Sequence, residues 1–199
     1  MKRTRLLSFT VVVVVIATMF LVGYINAPST NNRAKEHANS ALEYCRVHGL
    51  RTDYCILVDF DVHSGKNRFF IWDFNKQKIV YSTICEHGRG GKSTYMTPDF
   101  SNKIGSKCTS LGKYHVLNKR HMYNYPSVPC FVLKGVDSTN SNAMARGVLI
   151  HPSVSQMPTF PFPLQSRSEG CFGLSLRGFS KVNEYKKMSS KPMLLWAYR

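Results

Sequence analysis

Apolar and polar positions change their period several times along the chain. Leu6 to Ile25, LLSFTVVVVVIATMFLVGYI, carries no charge and follows the basic start Met1-Lys2-Arg3-Thr4-Arg5. A run of that length suffices to cross about 30 Å of hydrocarbon. A cleavable signal usually has a shorter apolar stretch, although Ile25-Asn26-Ala27 is a tolerable cleavage site. Residues 1–27 therefore read as an N-terminal membrane helix or a signal segment, with the basic end inside and the remainder exported. The polar spacer NAPSTNN leads into RAKEHANSALEYCRVHGL. There Ala34, Ala38, Ala41, Leu42 and Cys45 recur at helical spacing, and Gly49 stands where a glycine would end the helix. Linker and helix span residues 28–53.

From Tyr54 the period shortens. CILVDF, RFFIWDF and KIVYSTI are separated by the turn-rich HSGKN and NKQ, which predicts three consecutive antiparallel strands. Glu86 to Gly112 contains five glycines and little periodicity, and reads as one long loop of the kind that often serves function. KYHVL, CFVLKGV and ARGVLIH resume the strands. A short helix around Ser180–Met188 and a last strand, MLLWAY, follow. The predicted fold over residues 54–199 is mostly β with peripheral helices, a sandwich or barrel-like domain.

Composition adds a compartment and a partner class. Lys and Arg total 27 against 11 Asp and Glu, a formal charge of +16, so the field of the protein favours an anionic partner. Export removes cytoplasmic nucleic acid from the candidates, and the basic residues form no aromatic-interleaved recognition module. Six cysteines, Cys45, Cys55, Cys85, Cys108, Cys130 and Cys171, would suggest pairs in an oxidising compartment. No two stand in a CxxC spacing, which argues against a zinc site.

Two of these positions carry candidate chemistry. His151 closes the apolar run GVLIH, and Cys171 follows Ser168-Glu169-Gly170. A free cysteine is only partly thiolate at neutral pH and needs a base, for which histidine is the usual partner. Gly170 would let the backbone bend to present the sulfur, and N–H groups around residues 170–171 would suit an oxyanion hole. Spacing alone leaves two readings open: a nucleophile with its base, or a buried thiol and an unrelated strand-end histidine.

The order of the motifs resembles a known family. RFFIWDFNKQKIVYSTICEHGRGG, FSNKIGSKCTSLGKYHV, ARGVLIH and SRSEGC fall in the order and approximate spacing of the murein L,D-transpeptidase catalytic domain. The resemblance covers roughly residues 54–176. It implies an L,D-transpeptidase-like β-sandwich in which Cys171 is the nucleophile and His151 the base, with the carbonyl of Pro152 orienting the imidazole. Ser168 and Gly170 belong to the same motif. His87 and Gly88 match a strand-end His-Gly of the subfamily, and Ser101, Asn102, Gly105, Ser106, Ser110, Leu111 and Gly112 match its loop, so these residues are expected to shape the substrate groove. The activity implied is attack on a tetrapeptide stem of peptidoglycan, release of D-Ala and transfer of the acyl group to an amine, giving a 3→3 cross-link. No metal or organic cofactor is implied.

Departures from the common motif matter equally. Pro152 replaces a glycine, Glu169 a histidine, and Gly173 an Asn or Arg. Glu169 is expected to face outward or to pair with Arg167, because a carboxylate near the sulfur opposes its ionisation. Loss of the residue at 173 removes the usual holder of a substrate carboxylate, for which Arg167 and Arg146 are candidate replacements. Water as acceptor would make the enzyme an L,D-carboxypeptidase, and loss of activity would leave a wall-binding domain.

Overall fold

The computed structural model describes residues 30–153 and 167–199. The expected membrane helix or signal segment lies outside them. Among the described residues no helix is long and apolar enough to cross a membrane.

Helix α1, Thr30–Val47, buries Ala34, Ala38, Ala41 and Cys45, which the 3.6-residue period stacks on one face. Its end is a two-bond motif: Leu50 N–H donates to the Cys45 carbonyl (2.9 Å) and Gly49 N–H to that of Arg46 (3.5 Å). Gly49 adopts φ +66°, the left-handed conformation this stop requires. The alanines let the helix lie close against Cys55, Leu57, Phe70, Trp72 and Leu194, its partners in one apolar cluster.

Among the described residues eight strands follow: β1 Tyr54–Asp59, β2 Phe69–Asp73, β3 Lys78–Thr83, β4 Gly112–His121, β5 Pro129–Gly135, β6 Leu149–Pro152, β7 Phe172–Leu174 and β8 Met193–Tyr198. Helix α2, Leu176–Lys187, lies between β7 and β8 and is capped by Ser175, whose hydroxyl accepts from Gly178 N–H at 3.0 Å. The helix thus begins four residues before the expected start at Ser180. Strand β4 also extends past the expected KYHVL to His121.

The strands are hydrogen-bonded in the order β3-β2-β1-β8-β4-β5-β6-β7, a mostly β domain with two helices among the described residues, in keeping with the fold class expected. The sheet is mixed: β8 runs parallel to β1 and antiparallel to β4, and β6 runs parallel to β7. Strands β1 and β2 are buried along almost their whole length because both faces are covered. Cys55, Leu57, Phe70 and Trp72 face α1, while Ile56, Val58, Phe69 and Ile71 join the larger cluster. That cluster also takes in Phe172 and Leu174 of β7, and Phe179 and Val182 of α2. The chain beyond β3 meets β7 through Glu86 N–H to Gly173 O (2.9 Å) and meets the turn before β7 through Ser168 N–H to His87 O (2.9 Å).

Phe172 anchors the strand that follows the candidate nucleophile. Its ring meets Tyr114 edge-on at 5.6 Å and Phe60 at 6.1 Å. Removing a buried phenylalanine typically costs about 3–5 kcal/mol, so the position of β7 is strongly specified.

Candidate active site

Parallel pairing of β6 and β7 sets Ile150 beside Phe172 and His151 beside Gly173. Side chains alternate along a strand, so Ile150 and Phe172 enter the core while Leu149, His151 and Gly173 take the other face, with Cys171 just before β7. That face borders a cavity of about 660 Å³. Its lining among the described residues includes Cys171, His151, Glu86, Ser153, Arg120, Arg146, Arg167, Ser168 and Glu169, with Met122 to Tyr125 from the β4–β5 connection.

The turn before β7 is built to hold the sulfur. Gly170 has φ +114°, and a β-carbon there would lie 2.7 Å from the Cys108 carbonyl oxygen. Only glycine satisfies both the backbone and the space. The Ser168 hydroxyl donates to the Cys171 carbonyl (2.6 Å) and accepts from Gly170 N–H (3.2 Å). Ser168 therefore braces the turn. Gly170 N–H, one of the amides expected to form an oxyanion hole, is already committed to that hydroxyl.

Cys171 is half-buried, and its thiol donates to the Gly147 carbonyl at 3.6 Å. Burial pushes the thiol up to about 11, with Cys130 and Glu86 adding to the rise and the Leu149 N–H and Arg146 opposing it. At neutral pH the sulfur is thus protonated, and attack requires a base. His151 Nδ1 is 2.9 Å from the Pro152 carbonyl, the group that the motif assigns to this contact. A carbonyl only accepts, so in the neutral ring Nδ1 carries the proton and Nε2 keeps its lone pair.

The other expected site residues divide. Arg167 and Arg146 line the cavity, yet each also ties down a loop. Arg167 donates to Ser93 O (2.8 Å) and lies 4.4 Å over the Tyr95 ring. Arg146 donates to Ser101 O (2.9 Å), to Ser110 Oγ and to Cys108 O. Glu169 faces outward as expected, but pairs with Arg89 (2.5 Å) and Lys107 (3.0 Å) in place of Arg167. These partners hold its carboxyl below the usual range.

His87 is not among the described lining residues. It is fully buried, with Nδ1 2.7 Å from the Arg68 guanidinium and Nε2 2.8 Å from the Thr94 carbonyl. Burial and the Arg68 charge lower it to about 4, so the ring is neutral and organises the loop after β3. The matched loop residues are braces as well: the Asn102 amide donates to Ser138 O (2.8 Å), and Ser110 Oγ to Ser101 O (3.0 Å). All six cysteines are free thiols, so the pairing that their even number suggested is not present. Among the described residues no group of His, Cys, Asp and Glu could hold a metal ion.

Sequence reasoning missed Glu86. It is 2% exposed, accepts from the Ser153 hydroxyl (2.5 Å) and borders the same cavity as Cys171. A β-carbon at Gly173 would lie 2.2 Å from Glu86 Oε2, so this carboxylate occupies the space that a side chain at 173 would take. The signal available was the coincidence of an acidic residue before His87 with the bare glycine at 173.

Comparison with known proteins follows the same line. A family-wide profile described as the L,D-transpeptidase catalytic domain matches residues 26–198. Solved structures similar to the chain include an L,D-transpeptidase from Xylanimonas cellulosilytica, with 12% identity, a TM-score of 0.43, and coverage of 78% of this chain and 68% of that one. Another is an L,D-transpeptidase from Mycobacterium smegmatis, with 14% identity, a TM-score of 0.42, and coverage of 74% and 59%. A Bdellovibrio bacteriovorus structure has 16% identity, a TM-score of 0.47, and coverage of 76% and 49%. The match therefore extends over 49% to 68% of the length of those three chains. Curated proteins gave no match. With the family profile spanning nearly all of the domain that carries the Cys171 and His151 strands, the chain belongs to the L,D-transpeptidase catalytic domain family.

Proposed function

We propose that this protein is a cysteine-dependent peptidoglycan L,D-transpeptidase acting outside the cytoplasmic membrane. The observation that carries the reading is that Cys171, at the entry to β7, and His151, on the adjacent parallel strand β6, line one cavity rimmed by Arg120, Arg146 and Arg167. His151 Nε2 takes the thiol proton as the sulfur attacks the carbonyl of the third stem residue. The C–N bond to the terminal D-Ala breaks, the imidazolium returns the proton to the leaving amine, and a thioester remains. An acceptor amine then attacks the thioester and passes its proton to His151, which returns it to the departing sulfur. The basic residues Lys2, Arg3 and Arg5 and the apolar run to Ile25 support export, and the charge of +16 favours an anionic wall polymer.

The test is mass spectrometry of the protein incubated with purified disaccharide-tetrapeptide, beside Cys171→Ala and His151→Ala variants. The expected products are cross-linked dimer and free D-Ala. Cys171→Ala should form no adduct, and His151→Ala should acylate about two to four orders of magnitude more slowly. Turnover by Cys171→Ala would refute the nucleophile. Tripeptide alone would make water the acceptor, and no product or adduct from a folded protein would leave a wall-binding domain.

A further inference from the structure

We infer that Arg146 is a positioning residue for the nucleophile, whose guanidinium locks the turn before β7 and supplies the positive charge against which the Cys171 thiolate forms. The use of that charge in acyl transfer rests on the function proposed above. Arg146 stands in the connection between β5 and β6 and joins the loop before β4 to the turn before β7. Its Nη1 donates to Ser101 O (2.9 Å) and to Ser110 Oγ, and its Nη2 donates to Cys108 O. Cys108 O is the oxygen that a β-carbon at Gly170 would meet at 2.7 Å, and Arg146 Nη2 lies 3.1 Å from the same point. The guanidinium and the carbonyl it binds therefore fill the space beside the residue that precedes the nucleophile. The next residue completes the hold: Gly147, at φ +66°, presents the carbonyl that accepts from the Cys171 thiol at 3.6 Å.

These bonds go to neutral oxygens, so they orient the guanidinium without cancelling its charge. Glu169, the acidic residue of the turn, is held outside by Arg89 (2.5 Å) and Lys107 (3.0 Å). Arg146 accordingly favours the ionised sulfur, while Glu86 and Cys130 act against it. Among the described residues Arg120, Tyr123, Tyr125, His151, Arg167 and Glu169 are the other charged or titratable groups bordering the cavity. When His151 takes the thiol proton, the Gly147 carbonyl, which only accepts, has nothing left to bind on the sulfur. The neighbouring cation then stabilises the anion, and at the effective dielectric of protein sites a unit charge this near changes ionisation by about tenfold. Both Nη atoms are spent on the loop, so Arg146 does not offer a substrate carboxylate the two-pronged grip for which arginine is suited.

The experiment measures alkylation of Cys171 in the whole chain at about pH 8 by peptide-level mass spectrometry, with neutral iodoacetamide and anionic iodoacetate. Each reagent forms an S–C bond and releases iodide, and the thiol proton goes to the buffer. The iodoacetamide rate follows the thiolate fraction. That fraction cancels in the ratio of iodoacetate to iodoacetamide rates, which reports the local charge. In Arg146→Gln the iodoacetamide rate should fall about tenfold and the ratio about threefold or more. Arg146→Lys, which keeps the charge and loses the fork, should restore most of both. Equal losses of rate in the two variants with an unchanged ratio would make Arg146 a loop brace alone and overturn the inference, as would wild-type values in both. The wild-type ratio should also drop when the chain is unfolded in urea, and a native ratio no higher than the unfolded one overturns the inference without any variant. With purified disaccharide-tetrapeptide, Arg146→Gln should lower kcat for acylation and leave KM near that of wild type. A raised KM with unchanged kcat would assign Arg146 to substrate binding and overturn the inference. The expected alkylation pattern with no acylation by wild type supports the positioning role and overturns the transpeptidase reading.

Discussion

Lowering the pH from 7 to 5 should destabilise this protein by about 2 kcal/mol through His87 alone. The ring is fully buried, and its two nitrogens are committed in opposite senses. Nε2 donates to the Thr94 carbonyl, so Nδ1 must accept from Arg68, whose guanidinium also donates to the Cys85 carbonyl at 3.0 and 2.7 Å. A proton on Nδ1 would face that cation without water between them. Burial first, and Arg68 second, therefore lower the histidine from its ordinary 6.5 to about 4. A depressed histidine is neutral in the native state while the unfolded chain binds a proton below 6.5. Its contribution is fully present above that value and is lost as the pH falls toward the folded value. Linkage with those two values gives a loss of about 2 kcal/mol at pH 5 and about 3 kcal/mol at pH 4. Denaturant unfolding followed by Trp72 and Trp196 fluorescence, for wild type and His87→Gln, isolates this share because the carboxylates titrate in both. The difference between the two proteins should shrink by about 2 kcal/mol between pH 7 and 5. Parallel pH dependence in the two proteins would refute the reasoning, as would a His87 ring signal in NMR that titrates near 6.5.

Two further predictions concern the nucleophile. Because burial pushes the Cys171 thiol up to about 11, its alkylation by iodoacetamide should rise about tenfold per pH unit from 7 to 10, following the thiolate fraction; a plateau below pH 9 would indicate a thiolate already formed at rest. Gly170→Ala forces a side chain into φ +114° and against the Cys108 carbonyl. It should cost about 1–3 kcal/mol in denaturant unfolding and slow acylation of Cys171, and a variant with wild-type stability and rate would show that the turn tolerates a β-carbon.

The sequence by itself determined the elements with a local cause. Alanine spacing and Gly49 predicted α1 together with its stop, and three alternating apolar runs predicted β1 to β3 with antiparallel pairing. The order of motifs singled out Cys171 and His151 and led to the family. Each of these signals lies within a few residues of the feature it specifies, because helical period, strand alternation and turn chemistry are short-range properties. Tertiary structure alone decided the rest. Strand β7 has three residues, too few for a periodic signal, and exists because Phe172 and Leu174 fill the core beside β6. The last strand enters between β1 and β4, a placement its own sequence does not signal, and that insertion joins the first three strands to the rest of the sheet. His87, read as a groove residue, turns inward because Arg68, nineteen positions away on the other side of β2 and β3, and Thr94 of its own loop meet its two nitrogens. Glu169 found Arg89 and Lys107, and Glu86 found the space left by Gly173, through folding across 62 to 87 positions. Charge and chain length say that such residues need partners; only packing of remote segments decides which partners they meet.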